Sequence, residues 1–212
     1  MKKLTFITTV MLVIFLAIPA LANSLQGTKG LIYMPSADTQ LEGKYSLGLQ
    51  IMGNDNESTI SLNYGVWENF EVYMTFNFGS GFDNSNVNGG IKARVMYETE
   101  LQPSLAIGIM GKDLFVVASK TVDYKTNLRG HIGIGTGRFD GLYFGFNKLY
   151  NPITITSSDN EFLLPVTNFK LEFYNNQINL GADFHLNEYF VLNLGVINFR
   201  EFTYGIGYTS LF

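Results

Sequence analysis

Phe202-Thr203-Tyr204-Gly205-Ile206-Gly207-Tyr208-Thr209-Ser210-Leu211-Phe212 ends the chain. In an extended strand Phe202, Tyr204, Ile206, Tyr208 and Phe212 fall on one face, and Thr203, Gly205, Gly207 and Thr209 on the other. A large aromatic face opposite a small, partly polar one suits a strand with lipid on one side and a narrow lumen on the other. Tyr208 and the terminal Phe212 also resemble the carboxy-terminal signal by which outer-membrane barrels are recognised for assembly.

The same period of two recurs upstream. Tyr45, Leu47, Leu49 and Ile51 alternate with Ser46, Gly48 and Gln50; Phe70, Val72, Met74, Phe76 and Phe78 alternate with Glu71, Tyr73, Thr75 and Asn77. Comparable runs lie near 59–64, 91–98, 105–110, 114–122, 128–137, 142–147, 169–174, 178–186 and 190–196. Two of these are less clean, since 114–122 begins apolar on both faces and 128–137 is thinned by glycine. With the final strand they predict an all-β, antiparallel transmembrane barrel of about twelve strands, ten and fourteen remaining open. Thr28–Met34 reads as another extended stretch, but a thirteenth strand would break the even count of bacterial single-chain barrels. Gly27–Gln40 is therefore expected inside the lumen or across the periplasmic mouth.

The amino-terminal segment agrees with an envelope address. Lys2 and Lys3 precede an apolar run over Leu4–Ile18, and Pro19-Ala20-Leu21-Ala22 supplies a small-x-small cleavage pattern. Residues 1–22 read as a cleaved signal peptide, and 23–212 as an outer-membrane barrel domain in a Gram-negative-type envelope. The apolar run is shorter than the roughly 20 residues that span a bilayer as a helix. Nothing after residue 22 approaches that length, so entry into a membrane has to be by strands.

Composition excludes several functions. Charged residues are only 15% and aromatics reach 15%, whereas soluble domains carry about a quarter charged residues. With no cysteine, disulfides, lipid attachment at cysteine and thiolate–zinc chemistry are ruled out. The formal charge of −4, two units more negative without Lys2 and Lys3, argues against a nucleic-acid partner. Two histidines, His131 and His185, form no ligand pattern, and no cofactor is expected.

Parity orients the barrel. With Phe212 in the periplasm, the turns at Val66–Asn69 and Asn187–Tyr189 are periplasmic, while Gly53–Ser58, Gly79–Gly89 and Asn175–Gln177 face outward. Tyr150–Thr167, with Pro152 and Pro165, falls on the periplasmic side; it holds either strand pairing that alternation does not reveal or an insert.

Candidate site residues are the inward charges. Glu71, Lys92, Arg94 and Glu98 read as one lumenal cluster, with Lys170 and Glu172 as a similar arrangement across the barrel. In a barrel this small such charges close the interior by pairing more readily than they conduct ions. Asp183 and His185, two apart on one strand, could polarise a hydroxyl, but no serine is placed beside them by sequence and they read as lumen lining. Tyr45, Tyr64, Trp67, Phe70, Phe78, Tyr97, Tyr189 and Phe190 sit near strand ends, as interfacial girdles do.

Several stretches together resemble a known family. Gly30-Leu31-Ile32-Tyr33-Met34-Pro35-Ser36-Ala37 followed by Gly43, Phe115-Val116-Val117-Ala118-Ser119-Lys120, and Gly133-Ile134-Gly135-Thr136-Gly137-Arg138 are similar to motifs of the YjbH-like outer-membrane proteins associated with exopolysaccharide production. Lys170-Leu171-Glu172-Phe173-Tyr174 stands where that family tends to have Glu-Tyr-Asp, and Phe173-Tyr174-Asn175 replaces the last two, so no role of that Asp is carried over. The resemblance implies a short, single-barrel member with an accessory role in exopolysaccharide export or surface assembly, and carries no catalytic residues over. Its implied partners are outer-membrane lipid, the barrel-assembly machinery, and polysaccharide or export proteins. A narrow solute channel is the alternative, and an outer-membrane hydrolase or acyltransferase the third reading.

Overall fold

A computed structural model describes residues 23–53, 57–79, 86–150, 153–157 and 160–210. Twelve of its strands close a barrel: β1 (Tyr45–Met52), β2 (Ser58–Trp67), β3 (Phe70–Phe78), β4 (Asn86–Met96), β5 (Ser104–Met110), β6 (Asp113–Asp123), β7 (Leu128–Gly135), β8 (Gly141–Tyr150), β11 (Val166–Tyr174), β12 (Gln177–His185), β13 (Phe190–Ile197) and β14 (Glu201–Thr209). Each pairs antiparallel with its neighbours, and β1 against β14 seals the cylinder with Ser46 opposite Thr209 and Met52 opposite Thr203. Closure leaves no exposed sheet edge, which a membrane requires because hydrocarbon cannot satisfy an edge's N–H and C=O groups.

The polarity is inverted relative to a soluble barrel. Leu47, Leu49, Ile60, Leu62, Ile107 and Ile206 are exposed on the outer wall, while Ser46, Ser61, Asn63, Glu71, Thr75 and Lys92 are buried within. That distribution is stable only if the outer wall meets lipid. The strand count and the inward and outward faces agree with the expectation from alternation.

Two features explain the less regular sequence. On β6, Phe115 and Val117 take inward positions that other strands fill with polar residues and are almost wholly buried, while Leu114 and Val116 are exposed on the outer wall, which is why 114–122 begins apolar on both faces. They join Tyr73, Met110, Phe139 and Tyr143 in a lumenal cluster with Met34 and Ala37. Glycines make room for the rings: a Cβ on Gly90, Gly108 or Gly133 would lie 2.2–2.5 Å from the ring atoms of Tyr73, Phe115 or Tyr143, each on the facing strand at the same register. Each ring thus lies across a neighbouring glycine, filling a lumen too narrow for two side chains.

Between β8 and β11 the chain forms a separate hairpin of β9 (Ile153–Ser157) and β10 (Asn160–Leu164), paired with each other and not with the barrel. It occupies the segment left unassigned between Tyr150 and Thr167. At the end of the barrel away from the termini, Asn175 and Asn176 both have positive φ, the backbone of a tight two-residue hairpin turn that asparagine tolerates. The opposite end, where β1 begins and β14 finishes, is called the terminal mouth below.

Candidate functional site

Residues 23–44 enter the lumen from the terminal mouth, turn, and return to start β1. The inward arm begins at Asn23, whose Oδ1 accepts from Ser46 Oγ at 2.9 Å, and Leu25 N donates to Ile32 O at 2.8 Å. The tip is a turn closed by Leu31 N donating to Met34 O at 2.8 Å, with Gly30 bridged to Pro35. Gly30 and Pro35 thus stand together at the base of the tip, as the glycine and Met-Pro of the family-like motif.

A loop in a lumen carries backbone polar groups that strands cannot satisfy, so the wall must supply partners. Glu172 supplies most at the tip: its Oε2 accepts from the N–H groups of Ile32, Tyr33 and Met34 at 3.1, 3.0 and 2.9 Å, and its Oε1 from Asn179 at 2.8 Å. Three successive N–H groups converging on one carboxylate form an anion nest. Glu71 serves the two arms together. Its Oε1 accepts from Thr28 Oγ1, from Lys29 N at 3.3 Å and from Lys92 Nζ at 3.0 Å, and its Oε2 from Gln40 N at 2.6 Å. Lys92 Nζ in turn donates to Lys29 O at 2.9 Å, and Lys170 Nζ to Leu31 O at 3.0 Å.

The outgoing arm meets the second family-like motif. Ala37 N donates to Ser119 Oγ at 2.9 Å, which starts a polar belt around the wall. Ser119 Oγ lies 2.8 Å from His131 Nδ1, His131 Nε2 lies 2.7 Å from Asn147 Oδ1, and Asn147 Nδ2 donates to Asn168 Oδ1 at 2.8 Å. Asn168 and Asn193 then donate to Asp183 at 3.4 and 2.9 Å, and Asp183 pairs with Lys170 at 2.7 Å. One proton arrangement satisfies every member: the Ser119 hydroxyl donates to Nδ1, and His131 carries its proton on Nε2. Ser119, His131 and Asn147 have the order of nucleophile, base and orienting group, but Ser119 is 1% exposed and its Oγ already holds Ala37. The arrangement is a structural clasp.

The predicted cluster divides in the structure. Glu71 and Lys92 are an ion pair with both side chains fully buried. Arg94 is not with them: its Nε donates to Asn69 Oδ1 at 3.0 Å and its guanidinium lies 4.7 Å from the Tyr97 ring centre. A bulge between Arg94 and Met96 breaks the alternation there, so Glu98 falls beyond β4. Glu98 instead receives Arg129 Nη1 at 2.6 Å, and Arg129 Nη2 reaches Asp38 at 3.0 Å, clipping the outgoing arm at the terminal mouth. Burial raises the Glu98 carboxyl, but hydrogen bonds from Thr121 and the charge of Arg129 outweigh it and hold the group below its ordinary value. Lys170 and Glu172 are not paired with each other; they hold the carbonyl and amide sides of the same loop tip. Asp183 is committed to Lys170 and Asn193, while His185 lines the remaining cavity. Tyr208 shares its hydroxyl with Tyr45 at 3.0 Å; Phe212 and residues 1–22 lie outside the described residues.

The plug leaves a cavity of ≈ 460 Å³ on one side of the lumen, bounded by Lys29, Leu31, Asp38, Asn147, Lys170 and His185 among others. Its wall includes Leu149, Val166 and His185 at strand ends of the terminal mouth. Lys29 is 8% exposed, and its Nζ has no hydrogen-bond partner. It sits on the loop, outside the spanning strands, and burial draws its ammonium down to about 7 against the opposing pull of Glu71. Among the described residues no group of three or more His, Cys, Asp or Glu could hold a metal ion. At the far end the lumen is stoppered by Phe139, wholly buried with its ring 4.8 Å from Phe115, while Arg138 beside it bonds Asp113 at 2.8 Å and Asn88 at 2.9 Å.

Sequence reasoning missed Lys29, Ser119, Asn147 and Asn168 as members of the site. The available signal was their place on inward faces or in the family-like stretches; what it lacked was any indication that these stretches meet.

Fold and lumen together define a plugged β-barrel of the outer-membrane type. The YjbH family model, described as exopolysaccharide biosynthesis protein YbjH, matches residues 22–162, and the chain belongs to that family. No curated protein matches the chain. Among solved structures, the KdgM porin is similar at 11% identity over 80% of this chain and 99% of the porin, with a TM-score of 0.50. The same porin in complex with disordered oligogalacturonate aligns at 9% identity over 80% and 99%, TM-score 0.48. Outer membrane protein Omp33 of Acinetobacter baumannii aligns at 9% over 80% and 97%, TM-score 0.49. At these identities the likeness to KdgM is one of fold.

Proposed function

We propose that this chain is a non-enzymatic outer-membrane barrel with an accessory role in exopolysaccharide export or surface assembly, and that it does not act as a solute channel. One observation carries the second half: the lumen is occupied by residues 23–40, whose tip and arms are bound by Glu172, Glu71, Lys92 and Lys170. Family membership supports the first half. The two are connected, because the plug and its docking sites are the stretches that carry the family resemblance: Gly30–Ala37 docks on Glu172 and on Ser119. The terminal mouth is taken to be periplasmic, on the parity of the strands, so the cavity beside the plug opens toward newly exported polymer. A deletion strain should show altered matrix or capsular polysaccharide with near-normal uptake of small solutes. Unchanged polysaccharide with reduced solute uptake would overturn the reading in favour of a channel.

A further inference from the structure

We propose that Lys29 makes the plug a proton-sensitive latch: burying its ammonium opposes docking, so the loop is released more readily as pH falls toward neutral and held more firmly as pH rises. The inference rests on the docked loop and not on the polysaccharide role.

The lysines that reach the loop from the wall have partners. Lys92 pairs with Glu71 at 3.0 Å and donates to Lys29 O at 2.9 Å, while Lys170 pairs with Asp183 at 2.7 Å and donates to Leu31 O at 3.0 Å. Both hold the loop in place. Lys29 differs because the loop itself carries it, and its Nζ is buried with no hydrogen-bond partner. An ammonium in that state has lost its water without replacement, which is costly.

The surrounding charges do not cancel that cost. Glu71 on β3 attracts Lys29, and Asp38 on the loop does so more weakly, whereas Lys92 on β4 and Lys170 on β11 repel it. Glu71 already receives Thr28, Lys29 N and Lys92 on one oxygen and Gln40 N on the other. His131 on β7, with Asp183 and His185 on β12, lines the same cavity as Lys29. Burial remains the largest influence on the ammonium.

Docking and loss of the proton are thereby linked. In the released loop the ammonium is hydrated and keeps its ordinary value of 10.5; in the docked loop burial brings it to about 7. The protonated form therefore favours release. Below about 7 Lys29 is charged in both states, and docking bears the full cost. Above that, docking sheds the proton and tightens by up to tenfold per pH unit until the ordinary value is reached.

The test uses the full-length barrel in detergent with Ala37→Cys, a single thiol at a fully buried position of the loop in a chain without cysteine. Maleimide labelling is compared between the Lys29 and Lys29→Met backgrounds from about pH 6.5 to about pH 8.5. The ratio of the two rates cancels the ionisation of the thiol and of groups common to both, His131 and His185 included. That ratio should exceed one at the acid end and fall by about tenfold or more across the range. Lys29→Arg keeps its charge throughout, so its ratio to Lys29→Met should stay high and level. A ratio for Lys29 that does not change with pH, or one for Lys29→Arg that falls in step with it, would overturn the latch and leave the docked plug standing. Rapid labelling of every variant at every pH, in barrels that the heat-dependent gel shift shows to be folded, would overturn the docked plug and the latch with it.

Discussion

Replacing Glu172 by Ala should release the plug. The side chain accepts three loop-tip N–H groups within 3.1 Å, one more donor coming from Asn179. Hydrogen bonds to a charged partner contribute about 1.5–3 kcal/mol each, net of desolvation. Three would sum to about 4.5–9 kcal/mol, but they share one carboxylate and are not independent, so we take about 3–6 kcal/mol for the docked tip. At about 1.4 kcal/mol per factor of ten, that raises the undocked population roughly 10²–10⁴-fold. The chain has no cysteine, so Ala37→Cys gives a single reporter at a fully buried position. Its labelling by a bulky maleimide should be slow in the otherwise wild-type barrel and accelerate by about that factor with Glu172→Ala, provided the loop opens and recloses faster than it reacts. Equal labelling rates in the two proteins, both still folded barrels, would refute the view that Glu172 holds the plug.

Other substitutions probe the remaining contacts. Glu71→Gln alone or Lys92→Met alone should each cost the barrel about 3–5 kcal/mol by leaving a buried charge uncompensated, and the double change less than either; the midpoint of the heat-dependent gel shift reads the order. Gly145→Val should strain the β8–β11 pairing as well as crowd the plug, because a Cβ there would lie 2.6 Å from Leu171 O and 2.4 Å from Leu31 Cδ1; a lowered midpoint of the heat-dependent gel shift, with a rise in Ala37→Cys labelling, is the readout. Arg94→Ala should cost only about 1 kcal/mol or less, since that side chain makes one hydrogen bond and one ring contact at the barrel's end, and the plug should stay docked.

How far the sequence carried is clearest at particular residues. Leu47, Leu49 and Ile51 against Ser46, Gly48 and Gln50 announce a strand between lipid and lumen because period-two alternation is a local property. The same locality predicts Glu71 and Lys92 facing inward, and they meet because β3 and β4 are a hairpin with those two residues in register. Glu172 grips Ile32 from 140 positions away, and no alternation reports that. Nor does any local pattern reveal that Ala37 reaches Ser119, although both lie in stretches singled out by resemblance. Glu98 departs for a different reason: one bulge between Arg94 and Met96 ends the alternation before Glu98 is reached, whereas Arg94 keeps the register of Lys92 and is parted from the pair because its side chain turns to Asn69. Among the described residues the β9–β10 hairpin pairs only with itself, so the spacing of the barrel strands gives no register for it.

The central claim is that the lumen is closed in the resting protein. Reconstitution of the wild-type barrel in a planar lipid bilayer tests it most directly. The account predicts a silent bilayer, without stepwise conductance, from protein that the gel shift proves to be folded. Steady openings of general-porin type from the wild-type protein would contradict it.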